Sequence, residues 1–352
     1  MKFARGLVVG KFAPLHKGHE LLLQTAASRC GALYIISYSR PELPGCEPER
    51  RARWLREIAP QARSLVVTPE QVAGWQQAGL RLPPMPANDA DAATQRQFTA
   101  MLCSEVLGIT VDAVFTGEDY GDGFAAALAQ HFSHPVAHVM VDRARQVVPI
   151  SGTQVRADVH GQRHHLSAAV YADFVSRITF LGGESSGKTT ICSALAQEYG
   201  TPWVPEYGRT LWIEKRGALT FEDYVHIART QLEQETAACR VANRFVFCDT
   251  TPLTTLLYCL DQFGRAAPEL EALARTPYDK VYLCEPDFPM VQDGSRRDEA
   301  FRHAQYDWYL DRLSAMGVAF ELLAGDQLER LSAVRLWIEQ DGCPALRAGF
   351  HR

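Results

Sequence analysis

At 352 residues, 47% hydrophobic and 22% charged, the chain is ordinary globular material, long enough for two domains with separate cores and leaving little room for extended disorder. A formal net charge of −5 excludes gripping nucleic acid by bulk charge, which needs a basic face. Nine scattered cysteines without a C-x-x-C pair argue against a disulfide framework or a thiolate zinc site; with no signal-peptide core and no run near the roughly 20 apolar residues of a membrane helix, a soluble, cytoplasmic protein is expected.

In the first half, "GLVVG", "ALYIIS", "SLVVTP", "DAVFTG" and "HPVAHVMV" are short β-branched runs separated by helical stretches such as "HKGHELLLQTAASRC" and "PERRARWLREIA". Alternation of this kind predicts a doubly wound, parallel α/β sheet whose ligands bind at the carboxyl ends of the strands. "GKFAPLHKGHE" lies at such an end. There Gly10 frees the backbone to turn, Pro14 stiffens the loop and Gly18 permits close approach, while His16 and His19, three apart, can share one helix face. Alone, H-x-x-H reads first as a capped helix with two solvated imidazoles. A zinc pair lacks a third ligand at a familiar spacing.

Further along, "LPPMPANDADAATQRQF" predicts an excursion from the sheet, with Asn88 as a minor candidate contact, before a helix near residue 92. "GEDYGDGF" at 117–124 follows a strand and reads either as an acidic helix cap or as pocket wall through Glu118, Asp119 and Tyr120. In "PISGTQVRADVHGQR", Ser151 and Thr153 offer hydroxyls at a helix start, and Arg156 adds a planar fork suited to phosphate. Together, H-x-G-H after the first strand and I-S-x-T-x-x-R near residue 156 resemble the HxGH nucleotidyltransferase superfamily over roughly residues 4 to 158. The resemblance implies transfer of AMP from ATP to a phosphate-bearing acceptor: His16, His19, Lys11 and Arg156 stabilise the phosphates, Gly10, Phe12, Gly18, Ser151 and Thr153 complete the ATP site, and Mg²⁺ bridges the phosphates.

"RHHL" at 163–166 reads as a solvated linker, because adjacent histidines diverge on a helix, and the domain boundary is placed near residue 170. "SRITFLGGESSGKTTICSALAQEYG" then reads strand, glycine loop, helix: Gly182, Gly187, Lys188 and Thr189 fill G-x-x-x-x-G-K-[ST], with Gly183, Glu184, Ser185, Ser186 and Thr190 around them. Backbone N–H groups of such a loop cradle phosphates, the lysine reaches the β/γ-phosphates and the threonine holds Mg²⁺. The β-branched and aromatic run in "NRFVFCDTT" ends in Asp249, a carboxylate beside the metal or the N-cap of a helix after Pro252, two roles that can coexist. "EYGR" brings Glu206, Tyr207 and Arg209 to the sheet edge. "QDGSRRDE", with Asp293, Arg296 and Arg297, is either a lid over the transferred phosphate or a charged surface loop. Phe301, Tyr306, Leu310 and Leu313 share a stripe that reads as core.

"ITFLGGESSGKTT", "EYGR" and the DG-x-R segment, behind a G-K-F-x-P-x-H-x-G-H start, resemble the bacterial NadR family over nearly the whole chain. The resemblance implies a nicotinamide mononucleotide adenylyltransferase domain (1–170) followed by a P-loop ribosylnicotinamide kinase domain (171–352), both doubly wound α/β. It further implies Mg²⁺ as cofactor, ATP as co-substrate, and nicotinamide riboside, nicotinamide mononucleotide and NAD as small-molecule partners. Trp75, Trp203, Trp212 and Tyr207 are aromatic candidates for the cationic ring. The chain reaches its first catalytic strand by residue 5, without the helix-turn-helix that opens several family members, so direct DNA binding is not expected; a homo-oligomer is compatible with the sequence. Two rivals are a bifunctional coenzyme A synthase, whose usual pattern lacks the full "GKFAPLHKGH" and "EYGR", and a nucleotide sensor without turnover.

Overall fold

In the computed structural model, which describes residues 3–292 and 296–340, the chain folds as two compact units divided between Asp173 and Phe174. The first is built on β1 (Phe3–Val9), β2 (Cys30–Tyr38), β3 (Arg63–Val67), β4 (Ala113–Thr116) and β5 (Ala137–Met140), in spatial order β3-β2-β1-β4-β5 and wholly parallel. The second uses β6 (Ser176–Gly182), β7 (Trp203–Val204), β8 (Phe245–Asp249), β9 (Lys280–Cys284) and β10 (Glu321–Leu323), in order β10-β9-β6-β8-β7, again wholly parallel. All five first-half runs are strands, and both units have the expected doubly wound class.

Each sheet is apolar on both faces because helices cover both, as parallel sheets require. In the second unit the strand period of two is plain. Ile178, Phe180, Tyr282 and Cys284 enter one core with Ile191, Leu195 and Val334, whereas Leu181, Val281 and Leu283 enter another with Leu256, Tyr309 and Leu313. Leu313 is buried in this second core, and Phe301, Tyr306 and Leu310 pack against that core, so the stripe is core. In the first unit Leu7, Ile36, Val67 and Val114 meet Phe98, Leu102 and Phe124.

Local chemistry sets the helix ends. Thr68 caps Pro69–Gln77 reciprocally with Gln71, and Asp91 caps Ala92–Met101, the helix expected near residue 92. Gly264 closes Pro252–Phe263 at φ 67°. In both sheets the strand order reverses at the central strand, β1 or β6, and a nucleotide is expected beyond the carboxyl end of such a strand. No helix among the described residues is long and apolar enough to cross a membrane.

Candidate functional sites

Beyond β1 a cavity of about 610 Å³ opens, lined by Gly10, Lys11, Phe12, His16, Gly18, His19, Ser151, Thr153 and Arg156. Two motifs distant in sequence are thus one site, and a hydrogen bond joins them: Arg156 Nη1 donates to the Ala13 carbonyl at 2.5 Å, while Nη2 donates to Thr153 Oγ1 at 3.1 Å. The left-handed turn of the loop is made by Phe12, at φ 48°, and not by Gly10. Gly10 is needed for another reason: a Cβ there would lie 3.3 Å from the Phe12 ring. Gly18 likewise makes room for a side chain of the loop itself, since its Cβ would sit 3.0 Å from the His16 imidazole.

His16 occupies the N-cap of Lys17–Arg29, and its N–H donates to His19 Nδ1 at 3.3 Å. With Nδ1 accepting, the neutral His19 ring carries its proton on Nε2 and is a donor there. Burial lowers the His16 imidazole to about 4, helped by the charge of Arg145. Burial, then His16, pushes His19 well below its ordinary value. Both rings are therefore neutral donors near pH 7. Desolvation, then the Arg156 guanidinium, also lowers Lys11, whose Nζ reaches the Asn88 carbonyl at 3.5 Å.

Ser151 spends its hydroxyl on capping Gly152–Ala157, accepting from Gln154 N at 3.2 Å. Asn88 lines the cavity but is a brace, bonding Ser39, Arg40 and Pro41. Of the 117–124 segment, Glu118 and Tyr120 line the cavity and Asp119 does not; Asp119 pairs with Arg143. His164 and His165 sit in one 3₁₀ turn, and among the described residues no cluster of three His, Cys, Asp or Glu can hold a metal.

The second cavity, about 700 Å³, opens beyond β6 and is lined by Gly182, Glu184 to Thr190, Glu206, Arg209, Trp212, Tyr258 and Arg296. Gly182 at φ 141° and Gly187 at φ 82° adopt backbone that L side chains avoid. A Cβ on Gly183 would meet the Arg302 carbonyl at 2.5 Å, so this glycine, absent from the cavity lining, allows the loop to pack on Glu299–Ala315. Lys188 Nζ donates to the carbonyls of Gly182 and Gly183 at 3.0 and 2.8 Å. Thr189 Oγ1 donates to Asp249 Oδ2 at 2.5 Å. Asp249 ends β8 and leaves the capping of Pro252–Phe263 to Thr251, so it is not the N-cap of that helix. Burial raises its carboxyl, with Lys188 opposing.

Glu206 and Arg209 reach this cavity, whereas Tyr207 is not part of its lining. As the first residue of Tyr207–Glu214, Tyr207 turns aside and bonds His226 through its hydroxyl. Asp293 lies outside the described residues. Of the aromatic candidates, Trp212 lines the cavity, while Trp75 and Trp203 pack against core clusters. The buried arginines carry no local sequence signal. Arg51, fully buried, donates to Ser37 Oγ at 2.8 Å and the Lys11 carbonyl at 3.4 Å, fixing the first loop. Arg302 and Arg330 donate to the carbonyls of Ser185 and Ser186 from behind the glycine loop. Glu184 accepts from Tyr258 at 3.0 Å and from Arg297 N at 2.7 Å, tying the loop to the arginine segment.

A family model described as an AAA domain matches residues 177–330. Crystal structures of NadR protein in complex with NR, and with NAD and AMP-PNP, superpose with TM-scores of 0.69 and 0.67 at 21% and 19% identity, spanning 96% and 97% of this chain and 96% of each of theirs; at that identity they speak for the fold. Sequence carries the relationship further. The chain is 30% identical over 314 residues to the trifunctional NAD biosynthesis/regulator protein NadR of Escherichia coli (strain K12), covering 83% of this chain and 71% of that protein. With 30% identity over that extent of both proteins, the chain belongs to the NadR family.

Proposed function

We propose that the protein makes NAD in two consecutive steps, the second unit phosphorylating nicotinamide riboside with ATP and the first transferring AMP from a second ATP to the nicotinamide mononucleotide so formed, releasing pyrophosphate. The observation that carries this reading is the coexistence, in one member of the NadR family, of two ATP-type cavities built on unrelated motifs. The coenzyme A synthase alternative loses its ground with that membership.

In the first cavity the acceptor phosphate attacks the α-phosphorus in line, which asks the protein for alignment and charge dispersal and for no covalent intermediate. His16 and His19 donate to the α/β-phosphates as neutral rings, and Lys11 and Arg156 meet the charge developing on pyrophosphate. Gly10, Phe12 and Gly18 shape the ATP site, with Ser151 and Thr153 holding the helix start beside it. Each preorganised donor is worth roughly 3 kcal/mol at the transition state.

In the second cavity the N–H groups from Gly183 to Thr190 cradle the triphosphate, and Lys188 exchanges its two carbonyl partners for the β/γ-phosphates. Glu206, Arg209 and Arg296 face the acceptor. Thr189 and Asp249 would hold Mg²⁺: Asp249 Oδ1 is buried without a partner while Oδ2 accepts from Thr189, an oxygen pair that suits a hard cation. When bound, the ion neutralises phosphate charge.

The test is product analysis by mass after mixing the protein with nicotinamide riboside, ATP and Mg²⁺. Nicotinamide mononucleotide should appear first, then NAD. Binding of ATP without either product would favour the sensor reading, and turnover of phosphopantetheine in preference to nicotinamide mononucleotide would reject the proposal.

A further inference from the structure

Among the described residues three carboxylates line the kinase cavity, Glu184, Glu206 and Asp261, with Asp249 buried outside the lining, and all but Glu206 are already engaged. Glu184 is held by the Tyr258 hydroxyl and the Arg297 amide. Asp261 takes Arg297 Nη1 at 2.7 Å. Asp249 accepts from Thr189. Glu206 lines the same cavity at the carboxyl edge of the sheet, two residues after β7, and among the described residues neither of its oxygens receives a hydrogen bond or forms an ion pair. A partly buried carboxylate left free in a cavity beside a phosphate-binding lysine is poised to accept a proton from a substrate.

We propose that Glu206 is the catalytic base of the kinase, taking the proton of the hydroxyl that is phosphorylated. The role rests on the kinase reading above. The hydroxyl oxygen bonds to the γ-phosphorus, the bond from that phosphorus to the β,γ-bridging oxygen breaks with its electron pair leaving on ADP, and the hydroxyl proton passes to the Glu206 carboxylate and then to water. Charged and titratable groups face Glu206 from every side: Lys188 and Glu184 from the glycine loop, Asp249 from β8, Arg209 from its own helix, and Tyr258 and Tyr309 from the helices opposite. Burial, then the charge of Asp249, raises its carboxyl to about 7, where a general base works near neutrality.

The experiment uses the full chain with ATP, Mg²⁺ and nicotinamide riboside, comparing wild type, Glu206→Gln and Glu206→Asp. Expected for the amide variant is a fall in kcat of about 10²–10⁴-fold with both KM values within about threefold, the loss expected for a proton-transfer group. The acid limb of the wild-type pH–rate profile should vanish, and Glu206→Asp should recover part of the rate. Adenylyl transfer to added nicotinamide mononucleotide serves as the control for folding. A kcat within tenfold of wild type, or a loss expressed only as a raised KM for the cationic riboside, overturns the base role and leaves the kinase standing. Failure of the wild type to phosphorylate the riboside overturns the kinase reading, and the base role with it.

Discussion

The rings of His16 and His19 stack with centroids 3.8 Å apart and planes 25° from parallel. Two imidazoles so placed cannot both be charged without mutual repulsion, and burial already favours their neutral forms. The stability consequence has a definite sign. Between the ordinary histidine value of 6.5 and the lowered one of about 4, the unfolded chain binds more protons at His16 than the folded chain does. Stability is therefore complete above about 6.5 and is lost as pH falls toward 4, at up to about 1.4 kcal/mol per pH unit for each histidine. Denaturant titrations between pH 7.5 and 4.5 should show a shallower acid loss in His16→Gln than in wild type. An unchanged slope would show that the pair is not the proton-linked element.

Lys188 lines one cavity, Asp249 is bonded to Thr189 of the same cavity, and His19 lines the other, so their substitutions should separate the two reactions. Lys188→Ala should reduce riboside phosphorylation by about 10³-fold, the scale of a lost preorganised donor, and leave conversion of added nicotinamide mononucleotide to NAD intact. His19→Ala should do the reverse, with nicotinamide mononucleotide accumulating. Asp249→Asn keeps the Thr189 contact but removes the charge, and should weaken ATP binding chiefly in the presence of magnesium. Loss of both steps in any one of these variants would contradict separate sites.

What could be seen in the sequence was set by how local the physics is. The five first-half strands, the P-loop and the H-x-G-H turn are patterns of neighbouring residues that impose backbone geometry. Asp249 was ambiguous because a strand end and an N-cap want the same residue type; Thr251, two positions later, takes the cap. Tyr207 failed as a cavity residue because its neighbours Glu206 and Gly208 reach the wall while its own direction along the helix leads to His226. Arg51, Arg302 and Arg330 could not be found at all: arginine in a sequence reads as surface, and only tertiary packing shows that these three are buried against loop carbonyls.

Gly18→Ala is a test of the first loop at the level of one methyl group. The added Cβ would lie 3.0 Å from Cε1 and Nδ1 of His16, tighter than nine in ten real Cβ contacts, so the imidazole must give by a few tenths of an ångström against His19. A misplacement of the order of 1 Å in a catalytic group costs about 10²-fold, so this smaller shift should lower adenylyl transfer by up to about tenfold while riboside phosphorylation is retained. Circular dichroism and thermal melting should show a folded protein. A variant with wild-type adenylyl transfer would mean that the imidazole is free to shift without consequence.

Arg330 is the last link between the glycine loop and the sheet behind it. It is 1% exposed, donates to the carbonyls of Ser186 and Glu285 at 2.9 Å each, pairs with Asp287, and lies 4.9 Å from the Phe288 ring, which Arg302 approaches at 5.3 Å. Replacing it with methionine keeps the length and the apolar stem but leaves those carbonyls and the carboxylate without their cation. Asp287 keeps partial contact with water, so the cost is mainly that of the buried carbonyls left unpaired, about 1–3 kcal/mol, and the loss should be read as a lower urea midpoint with an unchanged m-value. Since the Ser186 carbonyl belongs to the phosphate loop, the KM for ATP in the kinase reaction should also rise, while the adenylyl-transfer KM should not. Arg330→Lys keeps the charge but has no planar fork to reach several acceptors at once, and should restore only a small part of either quantity. Full recovery by lysine would show that charge, and not the geometry of the guanidinium, holds the loop.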